Sequence, residues 1–126
     1  MKGLTIRSIS ALVAVALASL AITQLASART DRQASATATP VQVKGGEFFF
    51  RLSTKSIKRP GKVTFVFKNI GHVRHDFKIN GKKTPLIAPG KTAKLVVTLK
   101  KKGKYRYLCT VPGHAAAGMR GVFTAR

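Results

Sequence analysis

The sequence predicts an all-β domain, a sandwich or barrel of about seven short antiparallel strands. Three observations predict it. Segments rich in β-branched and aromatic residues alternate apolar with polar at a period of two. Clusters of Gly, Pro, Asn and Lys punctuate them at short intervals. No stretch after residue 40 repeats its apolar residues every 3.6 positions, as an amphipathic helix would.

The candidate strands run in order as follows. Residues 47–52, "EFFFRL", form a continuous apolar and aromatic run, with Phe48, Phe49 and Phe50 as core candidates. In 62–69, "KVTFVFKN", Val63, Phe65 and Phe67 share one face against Thr64, Val66 and Lys68. Residues 75–80, "HDFKIN", alternate less clearly. In 91–100, "KTAKLVVTLK", one face holds Leu95, Val97 and Leu99. In 103–109, "GKYRYLC", one face holds Tyr105, Tyr107 and Cys109, and 121–126, "GVFTAR", closes the chain. The turns between them are "RPGK" (59–62), "NGKK" (80–83), "APGK" (88–91) and "KKGK" (101–104). No internal repeat is long enough for a solenoid.

Ahead of this pattern, residues 1–28 have the shape of a signal peptide. Lys2 and Arg7 give a positive start, 11–22 is an apolar run, and "ASA" (26–28) is a small-x-small cleavage site. The run is too short and interrupted for a membrane helix of about 20 residues. No transmembrane segment is expected once the signal is cleaved. No cysteine follows the run to carry a lipid, and no paired arginines precede it. Residues 29–40, "RTDRQASATATP", read as a flexible leader. The folded domain is expected over 41–126, exported to the periplasm, the cell surface or the medium.

The charge is extreme, with 24 Lys+Arg against 3 Asp+Glu in 126 residues. Two of the basic residues and none of the acidic ones lie in 1–28, so the processed chain carries +19. Such a surface attracts anions, but the basic residues are scattered and no motif selects nucleic acid. Cys109 is the only cysteine, so no intramolecular disulfide can form. A lone thiol in an oxidising compartment is a hazard unless it is buried or bound.

That thiol stands in 107–119, "YLCTVPGHAAAGM". Cys109, His114 and Met119 are spaced with four residues between each pair. Taken singly, a cysteine is most often a small buried hydrophobe, a histidine a surface residue and a methionine core filler. Together they form a donor set. Thiolate binds soft metals, imidazole suits copper and zinc, and thioether is acceptable to copper but poor for zinc, calcium or magnesium. The set points to copper. Pro112 and Gly113 permit a tight bend, and Ala115, Ala116 and Ala117 are small enough for the loop to curl. A His2Cys site with a weak axial Met needs one more histidine. His72 follows Gly71 in a loop, whereas His75 heads a candidate strand and is held more firmly. His75 is therefore the expected fourth ligand, with His72 exposed or behind the ligands.

The two segments "KNIGHVRHDF" and "GKYRYLCTVPGHAAAGMRGVF" closely resemble the cupredoxins, the plastocyanin and azurin group of blue copper proteins. Asn69, Gly71 and His75 match the family's lead into its first ligand. Tyr107, Cys109, Pro112, Gly113 and His114 match its second segment, and Met119 stands where the axial ligand does. The resemblance covers about Val41 to the C-terminus. It implies a Greek-key β-sandwich or barrel of about seven to eight strands and one copper ion held by His75, Cys109, His114 and Met119. Many members carry Asn directly after the first histidine ligand; this chain has Asp76. A carboxylate there would favour the more positive oxidised site and lower the reduction potential, while the basic surface would act the other way.

The resemblance also implies a one-electron carrier rather than an enzyme. Four protein ligands leave no open position for substrate, and three histidines in all exclude the additional coppers of a multicopper oxidase. Electrons would pass through His114, ringed by Pro112, Gly113 and Ala115 to Ala117. Lysines around it would steer an acidic redox partner to a monomer. Two other readings use the same residues differently: a copper-homeostasis protein with no redox partner, and a basic polyanion-binding module in which the charge is the function.

Overall fold

The computed structural model describes residues 39–126. The expected signal segment, 1–28, and all but the last two residues of the leader lie outside the described residues. Nine strands are formed: β1 (Val41–Gly46), β2 (Phe49–Leu52), β3 (Ser56–Ile57), β4 (Gly61–Asn69), β5 (Lys78–Ile79), β6 (Lys82–Lys83), β7 (Thr92–Leu99), β8 (Gly103–Leu108) and β9 (Arg120–Ala125). They make two sheets, ordered β2-β1-β4-β7 and β3-β9-β8-β5-β6. There is no helix among the described residues. The fold is the expected all-β sandwich. It is not purely antiparallel, because β1 pairs with β4 and β3 with β9 in parallel.

The alternating segments behave as their pattern requires. Val63, Phe65 and Phe67 of β4 and Leu95, Val97 and Leu99 of β7 point into the core. Val41 and Val43 of β1 join them, and Ile79, Tyr107, Phe123 and Ala125 face them from the second sheet. "NG" makes a two-residue turn between β5 and β6. Asn80 and Gly81 both have positive φ, 49° and 76°, as a type I′ hairpin turn demands.

Three segments differ from expectation. A strand over 41–46 was not read from "VQVKGG", because its closing glycines carry no side chain to signal a face. Those glycines make room: a Cβ on Gly45 would meet the Phe67 ring at 2.7 Å and the Phe50 ring at 3.0 Å. In "EFFFRL" the strand begins only at Phe49, because Glu47 and Phe48 form the turn that joins β1 to β2. Phe48 is 42% exposed and is not a core residue. In "HDFKIN" only Lys78 and Ile79 join a sheet. Before them, His75 pairs with Ile87 alone, and Phe77 N–H donates to the hydroxyl of Thr84.

Candidate metal centre

The 70–75 loop is built on Asn69, the last residue of β4. Its buried side-chain amide donates to the carbonyls of Val73 (2.8 Å) and Ile87 (2.7 Å), and its Oδ1 accepts the Gly71 N–H at 2.9 Å. One side chain thereby closes the loop on itself and ties it to the neighbouring segment. His75 follows, with its N–H and carbonyl both bonded to Ile87. The backbone of His75 is held on both sides and its ring is fully buried.

The second loop leaves β8 at Leu108 and returns at Arg120. It curls as its small residues allow, with Gly113 and Gly118 at positive φ of 82° and 122°. His114 N–H donates to Val111, Met119 N–H to His114, and Cys109 N–H to Met119. The last bond brings the two ends of the loop side by side. Met119 is fully buried there.

Three of the singled-out residues meet. The donor atoms of His75, Cys109 and His114 all lie within 4.8 Å of one another. Cys109 Sγ is 3.9 Å from His75 Nδ1 and 3.7 Å from His114 Nδ1, and the two Nδ1 atoms are 3.1 Å apart. One soft sulfur and two imidazole nitrogens, all turned to one point, is a donor set suited to copper. Burial pushes the Cys109 thiol up from its ordinary pKa. The metal-free chain therefore holds a protonated sulfur that must release its proton on metal binding. His72 does not join the cluster, and its side chain is 97% exposed.

Two carboxylates tie these loops. Asp76, directly after His75, is fully buried. Its Oδ1 accepts the Thr110 N–H at 2.6 Å and its Oδ2 the Thr110 hydroxyl, so it joins the first loop to the residue after Cys109. Glu47 reaches the other side of His75. Its Oε1 lies 2.9 Å from His75 Nε2 and accepts the N–H groups of His72 (2.8 Å) and Val73 (3.0 Å). Chiefly the Val73 N–H, then His75, holds its pKa down to about 2. Its turn neighbour Phe48 packs edge-on against the His114 ring, centroids 4.9 Å apart. Sequence reasoning passed over Glu47 and took Phe48 for a core residue rather than a neighbour of His114. A rare acid in a basic chain, placed between two glycines and three phenylalanines, was the available signal for Glu47.

No curated protein matches the sequence. Among solved structures, the fold is similar to reduced auracyanin from the photosynthetic bacterium Roseiflexus castenholzii, with TM-score 0.59 and 22% identity over 68% of this chain and 94% of that one. It is also similar to auracyanin A, a "blue" copper protein from Chloroflexus aurantiacus, with TM-score 0.52 and 20% identity over 69% and 99%. A copper-containing nitrite reductase from Thermus scotoductus has TM-score 0.51 and 18% identity, matching 69% of this chain but only 27% of that one. The family model for copper-binding proteins of the plastocyanin/azurin type matches residues 37–126. With the matched region spanning the whole sandwich and both donor loops, the chain belongs to the plastocyanin/azurin family of copper-binding proteins, and copper is its cofactor.

Proposed function

We propose that this protein is an exported one-electron carrier whose single copper ion is held by His75, Cys109, His114 and Met119. The observation that carries the reading is the convergence of Cys109, His75 and His114 on one point from two loops of a closed β-sandwich. Bound copper supplies reversible exchange of one electron between Cu(I) and Cu(II). The chain's part is to hold the donors still. His75 is fixed by Ile87, Glu47 and Asn69, and Cys109 by Met119. Neither histidine loop can relax far when the charge of the site changes, so each transfer needs little rearrangement.

Electron entry and exit are assigned to His114. Its ring is half-buried, with Phe48 beside it and Pro112, Ala116 and Ala117 exposed around it. These groups make a small apolar rim suited to a brief encounter with an acidic redox protein. Four protein donors leave no place for a substrate, which supports a carrier rather than an enzyme. Export to the periplasm or cell surface is in keeping with the leading segment of the sequence, and a monomer with a small rim of this kind.

Adding Cu(II) to the purified domain is expected to produce an intense visible thiolate-to-copper absorption and a reversible one-electron couple. Cys109→Ser should abolish the band. A band that persists in Cys109→Ser, or none in the parent protein, overturns the reading.

A further inference from the structure

The turn between β1 and β2 places Glu47 against the buried imidazole of His75, on the side away from Cys109 and His114. All three short bonds go to one oxygen. Oε1 is 2.9 Å from His75 Nε2, 2.8 Å from the His72 nitrogen and 3.0 Å from the Val73 nitrogen. Oε2 faces only the ring of His72, at 3.4 Å. Space for the carboxylate is reserved. Gly71 has no need of a positive φ, yet a Cβ there would stand 2.4 Å from Oε1 and 2.9 Å from the Glu47 Cδ.

We infer that Glu47 is a positioning residue of the copper centre, holding His75 as the Nε2–H tautomer and lowering the reduction potential with its negative charge. The inference rests on His75 being a ligand. A carboxylate at Nε2 requires the proton there, which leaves the Nδ1 lone pair for the metal. A carboxylate does more than a neutral acceptor would. It raises the basicity of the imidazole, and its charge stabilises the oxidised site, which carries one more positive charge than the reduced one. The other carboxylate of the described residues, Asp76, is engaged with Thr110 and Lys83. Glu47 alone is bonded to a donor ring.

The bonding pattern separates charge from support. Because Oε1 receives every short bond, Glu47→Gln can keep all of them through its amide oxygen and lose only the charge. Glu47→Ala loses both. Gly71→Ala pushes the carboxylate off His75 without altering its chemistry. The test is redox titration of the copper-loaded protein, with nitrogen NMR of the His75 ring in the metal-free protein.

Partners of ligating histidines change metal affinity about 10- to 100-fold. Loss of the charge is expected to weaken Cu(II) relative to Cu(I) by about tenfold, which raises the potential by about 59 mV. Glu47→Gln and Gly71→Ala should both move it upward. The Nε2–H tautomer should persist in Glu47→Gln and become mixed in Glu47→Ala. A Glu47→Gln protein with its visible band intact and its potential unmoved overturns the role of Glu47 while leaving the ligand reading standing. A band unaffected by His75→Ala overturns both.

Discussion

Two carboxylates lie among the described residues, and each is bonded to a loop that bears a donor. For Asp76 the bond is to the backbone and hydroxyl of Thr110, one residue past Cys109. A hydrogen bond to a charged acceptor contributes roughly 1.5–3 kcal/mol, and removing the carboxylate leaves the part-buried Thr110 N–H unpaired. Asp76→Ala is therefore expected to lower the unfolding free energy of the metal-free domain by about 1–3 kcal/mol. Asp76→Asn should lose less, because its amide can accept from the Thr110 N–H and donate to the Thr110 oxygen. Thr110→Val removes the hydroxyl alone. Urea unfolding of the Asp76→Ala and Thr110→Val single variants and their double should show costs that fail to add by at least about 0.5 kcal/mol. Strict additivity would mean that the tie across the two loops contributes nothing.

The strands position these loops through one aromatic cluster. Phe77, the residue after Asp76, packs against Phe50 (5.3 Å between ring centroids), Phe65 (5.2 Å) and Tyr107 (5.5 Å), so it touches both sheets. Its side chain is fully buried. Phe77→Ala is expected to cost about 3–5 kcal/mol of unfolding free energy. In thermal unfolding it should also lower the temperature at which the visible copper band is lost. A loss of stability without loss of the band's midpoint would separate the core from the site. This cluster also marks the limit of sequence reading. Strands β4, β7 and β8 were legible because each buries one face, so their pattern is written locally at period two. The turn at Asn80 and Gly81 was legible because its backbone demands those residues, though the short strand β6 that makes it a hairpin was not. Cys109 and His114 were legible because such donors are rare in this chain and lie close together, and His75, 34 residues before Cys109, because it heads a candidate strand and follows Asn69 and Gly71 as the family's first ligand does. The parallel partnership of β1 with β4 was not, since nothing in "VQVKGG" names a partner 24 residues away. Glu47 was hidden for the same reason: its bond to His75 spans 28 residues and exists only once the sheets have formed.

Over the whole domain, both sheets carry basic residues on their outer faces, Arg51, Lys44, Lys68, Lys62 and Lys94 on the first, and those of the second sheet run up to the Cys109 loop. In the second sheet Arg120, Leu108, Lys78 and Lys83 are successive register partners, so they form one row across its outer face. Arg106 and Lys104 extend the same face along β8. Leu108 sits in the row and is bonded to Cys109. Beside it, Arg106, Leu108, Ala115, Arg120 and Val122 line a groove of about 570 Å³. Among the described residues the only side-chain carboxylate near this face, Asp76, is buried and 3.8 Å from Lys83. A face of one sign raises the local concentration of oppositely charged partners and speeds association by about 10- to 1,000-fold, an effect that salt screens. Oxidation of the reduced copper protein by hexacyanoferrate(III), followed by stopped flow, is therefore expected to slow about tenfold or more from low to high ionic strength. Reversing two charges on this face, Arg106→Glu with Arg120→Glu, should reduce both the rate and its salt dependence. Reversing two on the outer face of the other sheet, Lys62→Glu with Lys94→Glu, should do so less, though the change in net charge is the same. Equal effects would assign the steering to net charge alone, and rates indifferent to salt would remove it altogether.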